Sequence, residues 1–242
     1  MYEDLANAIV QVTCGESSGS GFHFLREDIV VTNHHVVQQN TQIGTPITAT
    51  TENRESFSLE LLSYSSLNEN DFAILRATTK LPDGTTMLSP KIMKNIERGK
   101  EILFSGFPHG IPDLLVQKAI VAATIDDRSF YIDGSVNGGN SGGPIVDCSD
   151  NSVIGIVTQR RFLGGVELED LSKQANQLYS YCQQIANRGS VQIMGIDFGQ
   201  FAGLMSRSFL LIDQVLKANA NSGIGIGFRI DFVNEDFEKL GL

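Results

Sequence analysis

The sequence is poor in cysteine, in basic residues, in histidine and in long apolar runs, and each shortage removes a class of function. Its three cysteines, Cys14, Cys148 and Cys182, share no CxxC or Cys/His spacing, so buried free thiols are expected rather than a disulfide framework or a zinc site. Lysine and arginine number 18 against 28 aspartates and glutamates, for a net charge of −10 and a pI near 4.8. A nucleic-acid partner or an anionic membrane surface calls for the opposite balance, and the pair Arg160–Arg161 is too short to be a basic patch. No stretch approaches the ~18 consecutive apolar residues of a membrane span. The N-terminal MYEDLANAIVQVTC is acidic where a secretory signal needs lysine or arginine. A soluble protein in a reducing, cytoplasmic setting is therefore expected. Of the four histidines, none stands at metal-ligand spacing from another ligand; His23, His34 and His109 read as structural or surface residues, and no metal or organic cofactor is expected.

What is present is an ordinary globular composition, with 41% apolar and 19% charged residues over 242 positions, enough for a sizeable core. From residue 8 to about 160 the chain alternates short β-rich runs with turn residues: AIVQVTC, GSGFHFL, DIVVTNHHVV, FSLELLSYS, FAILRAT, EILFSGFP, LVQKAIVAATI, SFYID, GGPIVD and SVIGIVTQ. This pattern predicts an all-β barrel or sandwich rather than a βαβ sheet. The period then changes. Leu168, Leu171, Ala175, Leu178, Cys182 and Ile185 recur at steps of three and four, which predicts a helix over 166–188 with one apolar stripe. After NRGS and VQIMGIDF a second helix is expected over 199–219, with Asp197 as N-cap and Phe201, Leu204, Met205, Leu211, Ile212 and Val215 on one broad face. The pair reads as a helical hairpin, after which IGIGFRIDFV returns to strand character.

Glycine and serine cluster in turns for reasons unconnected with chemistry, so SVNGGNSGGPIVDCSD, residues 135–150, does not by itself make Ser141 a nucleophile. GNSGG also fits the G-x-S-x-G elbow of an α/β-hydrolase. That fold, however, places its histidine after the serine, and all four histidines here precede Ser141. An acid–histidine–serine order through Asp71 and His109 needs an α/β sheet that the β-rich first part does not supply. The order histidine, aspartate, serine remains. IVVTNHHVV puts two imidazoles, His34 and His35, at the end of an apolar strand, where only one can point into a shared cleft. NENDFAIL sets Asp71 at a polar-to-apolar boundary, anchored by the strand that follows.

GSGFHFLREDIVVTNHHVV, NDFAILRA, DGSVNGGNSGGPIVD, VIGIVTQ and GIGIGFRIDFV together resemble the successive blocks of trypsin-like serine proteases, specifically the HtrA/Deg-type branch. Its pattern T-N-x-H-V-V singles out His35 over His34. The resemblance implies a chymotrypsin-like double six-stranded β-barrel with the active site in the cleft between the barrels. It also implies a serine endopeptidase with His35, Asp71 and Ser141 as catalytic residues, the Gly139 and Ser141 amides as oxyanion hole, and protein or peptide as substrate. The chain is expected to be one protease domain over 1–242, with lobes of roughly 1–95 and 96–234 and the helical insertion at about 163–223.

Three features bear on regulation, the first of them shared with the HtrA/Deg branch. Asn140 stands where secreted relatives carry the aspartate that pairs with a newly cut N-terminus, so no zymogen cleavage is expected. The PDZ domain usual in the HtrA/Deg branch is not expected within this chain. The helical hairpin, in place of a short loop beside the specificity pocket, reads either as extra core on the second barrel or as a docking element for a protein partner or a second copy. By the resemblance, Ser135, Thr158, Arg160 and Arg229 are the candidates for lining the substrate pocket. An arginine there selects an acidic residue before the scissile bond, whereas arginines turned to solvent or to neighbouring acids leave a small apolar pocket.

Overall fold

The computed structural model describes residues 2–162, 165–219 and 221–242, with the side chains of 159–169 and 217–222 outside the described set. These residues fall into two compact units, Met1–Arg161 with Gly223–Leu242, and Phe162–Ser222.

The first unit opens with α1 (Tyr2–Ala6) and then a closed barrel. Its strands are β1 (Ile9–Cys14), β2 (Ser17–Phe24), β3 (Arg26–Thr32), β4 (Ile47–Thr50), β5 (Ser56–Ser65) and β6 (Phe72–Ala77), hydrogen-bonded in the order β1-β2-β3-β6-β5-β4. The second barrel uses β7 (Glu101–Gly106), β8 (Leu115–Thr124), β9 (Ser129–Asp133), β10 (Pro144–Asp147) and β11 (Val153–Phe162). It is closed by β14 (Asn221–Arg229), which follows a ribbon of β12 (Gln192–Ile193) and β13 (Ile196–Asp197), giving the order β10-β11-β14-β9-β8-β7. The double six-stranded barrel with a helical insertion before its last strand is as the sequence leads one to expect.

Strand alternation explains the apolar runs. On β3, Val30 faces the interior of the first barrel while Ile29 and Val31 face a core shared by both barrels; on β6, Ala73 and Leu75 point inward and Phe72 and Ile74 to that shared core. The second barrel repeats this, with Phe104 and Ile145 inside and Leu103 and Val146 in the shared core. Strands buried on both faces read as unbroken apolar stretches. The barrels are thus joined by a continuous apolar layer rather than by a linker.

Two elements differ from the sequence reading. His34 and His35 do not end a strand; β3 stops at Thr32, and both open α2 (His34–Ile43), with the Val36 amide donating to the Asn33 carbonyl. The opposite orientations of the two imidazoles come from about 100° of helical rotation instead of strand alternation. After Arg229 the chain turns into α5 (Asp231–Lys239), so DFV is helix with Ile230 as its N-cap; Phe237 stacks edge-on against Phe24 at 5.7 Å and seals the shared core. A helix offering Val233 and Phe237 to an open apolar edge wins over the strand-like composition.

The second unit is the hairpin of α3 (Gly165–Asn187) and α4 (Phe198–Asn219). Asp197 does cap α4, its Oδ1 accepting the Gln200 amide at 2.9 Å. The single stripe expected on α3 splits: Ala175 is buried, while Leu171 and Leu178 are exposed, and the Leu168 side chain lies outside the described residues. The helices meet through small and polar groups, namely Ala175, Ala202, Ser206 and the Ser172–Asp213 hydrogen bond. Small residues allow close approach, and the large apolar ones are thereby turned outward. No helix among the described residues is long and apolar enough to cross a membrane.

One buried group makes the fold sensitive to acid. The His23 ring is 1% exposed, stacks on Phe57, and donates from Nδ1 to the Glu27 carbonyl at 2.5 Å; burial pushes its pKa down to about 4. The unfolded chain takes up this proton near pH 6.5 and the folded chain only near pH 4, so stability present at pH 7 is lost between those values, by about 3 kcal/mol. Urea unfolding from pH 7 to pH 4 is expected to show this loss, and His23→Asn, which keeps a donor near the Nδ1 position, is expected to flatten it.

Candidate active site

Strand register brings the first two candidate residues together. Thr32 pairs with Ala73, so the residues just after β3 and just before β6 lie at one end of neighbouring strands. There the Asp71 carboxylate is fully buried and accepts the His35 Nδ1–H at 2.8 Å and the His35 backbone amide at 3.1 Å. Asp71 takes a left-handed backbone, φ +45°, a conformation aspartate tolerates better than most residues, and Asn33 Nδ2 holds its carbonyl at 2.6 Å. Because a carboxylate only accepts here, the proton sits on Nδ1 and leaves Nε2 as the basic nitrogen. His34 goes elsewhere: its ring stacks on Tyr64 at 4.4 Å and its Nε2 meets Thr41 Oγ1 at 3.3 Å.

The second barrel contributes Thr158, near the middle of β11. Its Oγ1 donates to Asp71 Oδ2 at 2.5 Å, and its carbonyl accepts the Ser141 hydroxyl at 3.1 Å. Thr158 therefore links the acid of one barrel to the serine of the other. In this arrangement Ser141 Oγ is hydrogen-bonded to the Thr158 carbonyl and not to His35 Nε2.

The turn that carries Ser141 is pinned on three sides. The Gly142 amide donates to the Val157 carbonyl and the Val157 amide to Gly143. From the first barrel the Ser20 amide donates to the Ser141 carbonyl at 2.7 Å. The fully buried Ser20 hydroxyl donates to the Gly139 carbonyl at 2.6 Å and accepts the Phe107 amide at 2.9 Å. Gly142 has φ +88°, and a Cβ there would stand 2.1 Å from the Ser20 carbonyl; Gly139 has φ +94°, and its Cβ would stand 2.2 Å from the Phe107 carbonyl. Only glycine fits either place. The Gly138 carbonyl is held by the His109 amide at 2.7 Å, and the amides of Gly139 and Ser141 donate to no protein group among the described residues. Asn140 is buried, and its Oδ1 accepts the Asn137 amide at 2.9 Å.

The candidate pocket residues separate. Ser135 is exposed, its carbonyl accepting from Asn137 Nδ2. Thr158 is committed to Asp71. Arg229 pairs with Asp231 at 2.7 Å, donates to the Met93 carbonyl, and lines a cavity of about 70 Å³ with Lys94, Asp126 and Phe130, a set that shares no residue with the surroundings of Ser141. The Arg160 side chain lies outside the described residues. Ser20 carried no signal in the sequence beyond the turn-like GSG, because its role rests on contacts with residues 87 and 119 positions away. Ser20→Ala is expected to leave the Gly139 carbonyl and the Phe107 amide without their partner and to cost about 1–3 kcal/mol in chemical unfolding.

The Trypsin-like peptidase domain family matches residues 19–156, more than half of the chain. Over 225 residues the chain is 24% identical to the serine protease Do-like HtrA of Bacillus subtilis, covering 79% of this chain and 49% of that protein. Over 152 residues it is 26% identical to the magnetosome formation protease MamE of Paramagnetospirillum magneticum, covering 59% of this chain and 20% of that one. The chain spans between a fifth and a half of the length of these curated relatives. The solved serine endoprotease of Yersinia pestis superposes with a TM-score of 0.55 at 24% identity, over 66% of this chain and 58% of its own.

Proposed function

Because this chain belongs to the trypsin-like peptidase domain family, we propose that it is a serine endopeptidase of the HtrA type, with Ser141 as nucleophile, His35 as general base and Asp71 as the group that orients it. The observation that carries this reading is the pairing of His35 Nδ1–H with the buried Asp71 carboxylate at 2.8 Å. It fixes the tautomer in which Nε2 can take a proton, and it stabilises the imidazolium that follows. Ser141 leaves the Thr158 carbonyl, gives its proton to Nε2 and attacks the scissile carbonyl carbon of a protein or peptide. The oxyanion then meets the Gly139 and Ser141 amides, where one such donor is worth ~3 kcal/mol. His35 passes the proton to the leaving amine, the C–N bond breaks, and water attacking by the same route releases the acyl group from Ser141. No step in this sequence calls on a cofactor.

A serine-directed fluorophosphonate tests the assignment directly. Wild-type protein is expected to label and Ser141→Ala not to; labelling that survives in Ser141→Ala removes Ser141 as the nucleophile. A second reading, favoured by the Ser141–Thr158 hydrogen bond, is a latent enzyme that needs a partner before the hydroxyl turns to His35. Well-folded wild type that fails to label alone supports it over the first.

Thr158 is the positioning residue in either case. Thr158→Val removes one of the donors to Asp71 and is expected to lower kcat about tenfold with little change in KM. Thr158→Ser, which restores the hydroxyl, is expected to recover most of the loss. Equal losses in both variants would instead point to packing.

A further inference from the structure

The hairpin of α3 and α4 carries a second seam. Hydrogen bonds from Ser172 to Asp213 and from Ser206 to the Tyr179 carbonyl pair residues in reversed order, so the helices run antiparallel and face each other through the stripe that includes Ala175 and Ala202. Between about 75° and 155° of rotation away from that contact, α3 exposes Leu171, Leu178, Tyr181 and Ile185, which are 37–63% accessible. Their spacing of seven, three and four is that of a coiled-coil seam, interrupted at Gln174. On α4, Phe198, Phe201, Met205 and Ile212 recur at three, four and seven; Met205 is half-buried and the other three are 43–50% accessible. They lie about 90° from the contact stripe, in the same rotational sense. In antiparallel helices, offsets of the same sense fall on the same side, so both stripes form one face.

Two further properties of that face restrict what covers it. From Gln174 to Leu216 the only charged residues are Arg188, Asp197, Arg207 and Asp213. Asp197 caps α4, Asp213 is buried against Ser172, Arg207 lies on the opposite flank by helical rotation, and Arg188 follows the end of α3. The face is therefore free of charge on a chain of net charge −10, and loss of charge with aromatic enrichment marks the centre of protein interfaces. The opposite flank carries Lys173 and Arg207 among Asn176, Ser180, Gln184 and Asn187, two basic residues rather than the row of lysines and arginines that holds an amphipathic helix at a lipid surface. Each stripe spans 15 residues, about 22 Å, and two helices side by side present roughly 450 Å² over that length, more than half of the ~800 Å² per partner of a standard interface.

We infer that this face is covered by the same face of a second copy, the two hairpins forming a four-helix layer about a two-fold axis. Heptad spacing on both helices specifies helices as the complement. A symmetric pairing supplies the same spacing and places no acid against another.

Sedimentation velocity of the full chain from about 1 to about 100 µM decides this. Wild type is expected to be a dimer. Tyr181→Glu and Phe201→Glu, both at exposed positions that a monomer folds without, are each expected to weaken it by roughly 100-fold or more. Ser180→Glu, on the opposite flank, is expected to change nothing, and far-ultraviolet circular dichroism checks that all three keep their helices. Wild type that stays monomeric at the highest concentration, or a dimer that withstands both substitutions, overturns the inference. Monomeric wild type that binds phosphatidylcholine vesicles, with binding lost in Phe201→Glu, overturns it in favour of a lipid surface.

Discussion

A carboxylate with no exposure to water has to be answered by donors, and Asp71 is answered from both barrels. The backbone and ring of His35 supply two hydrogen bonds from the first barrel, and Thr158 supplies a third from the second. An unanswered buried charge costs several kcal/mol, so moving the barrels apart, which removes the Thr158 donor, is disfavoured. The same group that holds the His35 ring therefore helps fix the relation of the barrels. Stability and the proposed chemistry draw on one set of contacts.

Ser20 does from the other side what Thr158 does from this one. It is a first-barrel residue whose amide and hydroxyl hold the Ser141 and Gly139 carbonyls and the Phe107 amide. With their carbonyls engaged, the peptides of the turn cannot rotate freely, and the Gly139 and Ser141 amides are left with no acceptor among the described residues. In the proposed mechanism these two amides receive the developing negative charge, and they are open to it because the carbonyls are satisfied first. The glycines at 139 and 142 are required by crowding, since backbone or side-chain atoms occupy the place a Cβ would take.

The hairpin follows a different logic from the barrels. The barrels bury three apolar clusters. The two helices bury only Ala175, Ala202, Ser206 and Asp213 among their described side chains, and leave leucine, phenylalanine and tyrosine accessible. Two helices packed through small residues have no interior in which to hide large ones. A residue pattern that reads as one amphipathic face in sequence becomes two stripes once a neighbour takes the small one.

Periodicity and chain order by themselves determined much of this protein: alternating and doubly buried strand runs, two helices with a three-four repeat, a histidine and an aspartate before a glycine-bound serine. Such features are local, set by backbone geometry over a few residues, and a linear sequence displays them. Only the tertiary structure decided that His34 and His35 open a helix, that DFV after the last barrel strand is helical, and that Arg229 is spent on Asp231 and Met93. It alone made Thr158 and Ser20 the links between barrels. Each of these depends on groups dozens of residues apart competing for one buried partner, and which donor reaches a carboxylate or a carbonyl is fixed only when strand register and barrel closure bring them within about 3 Å.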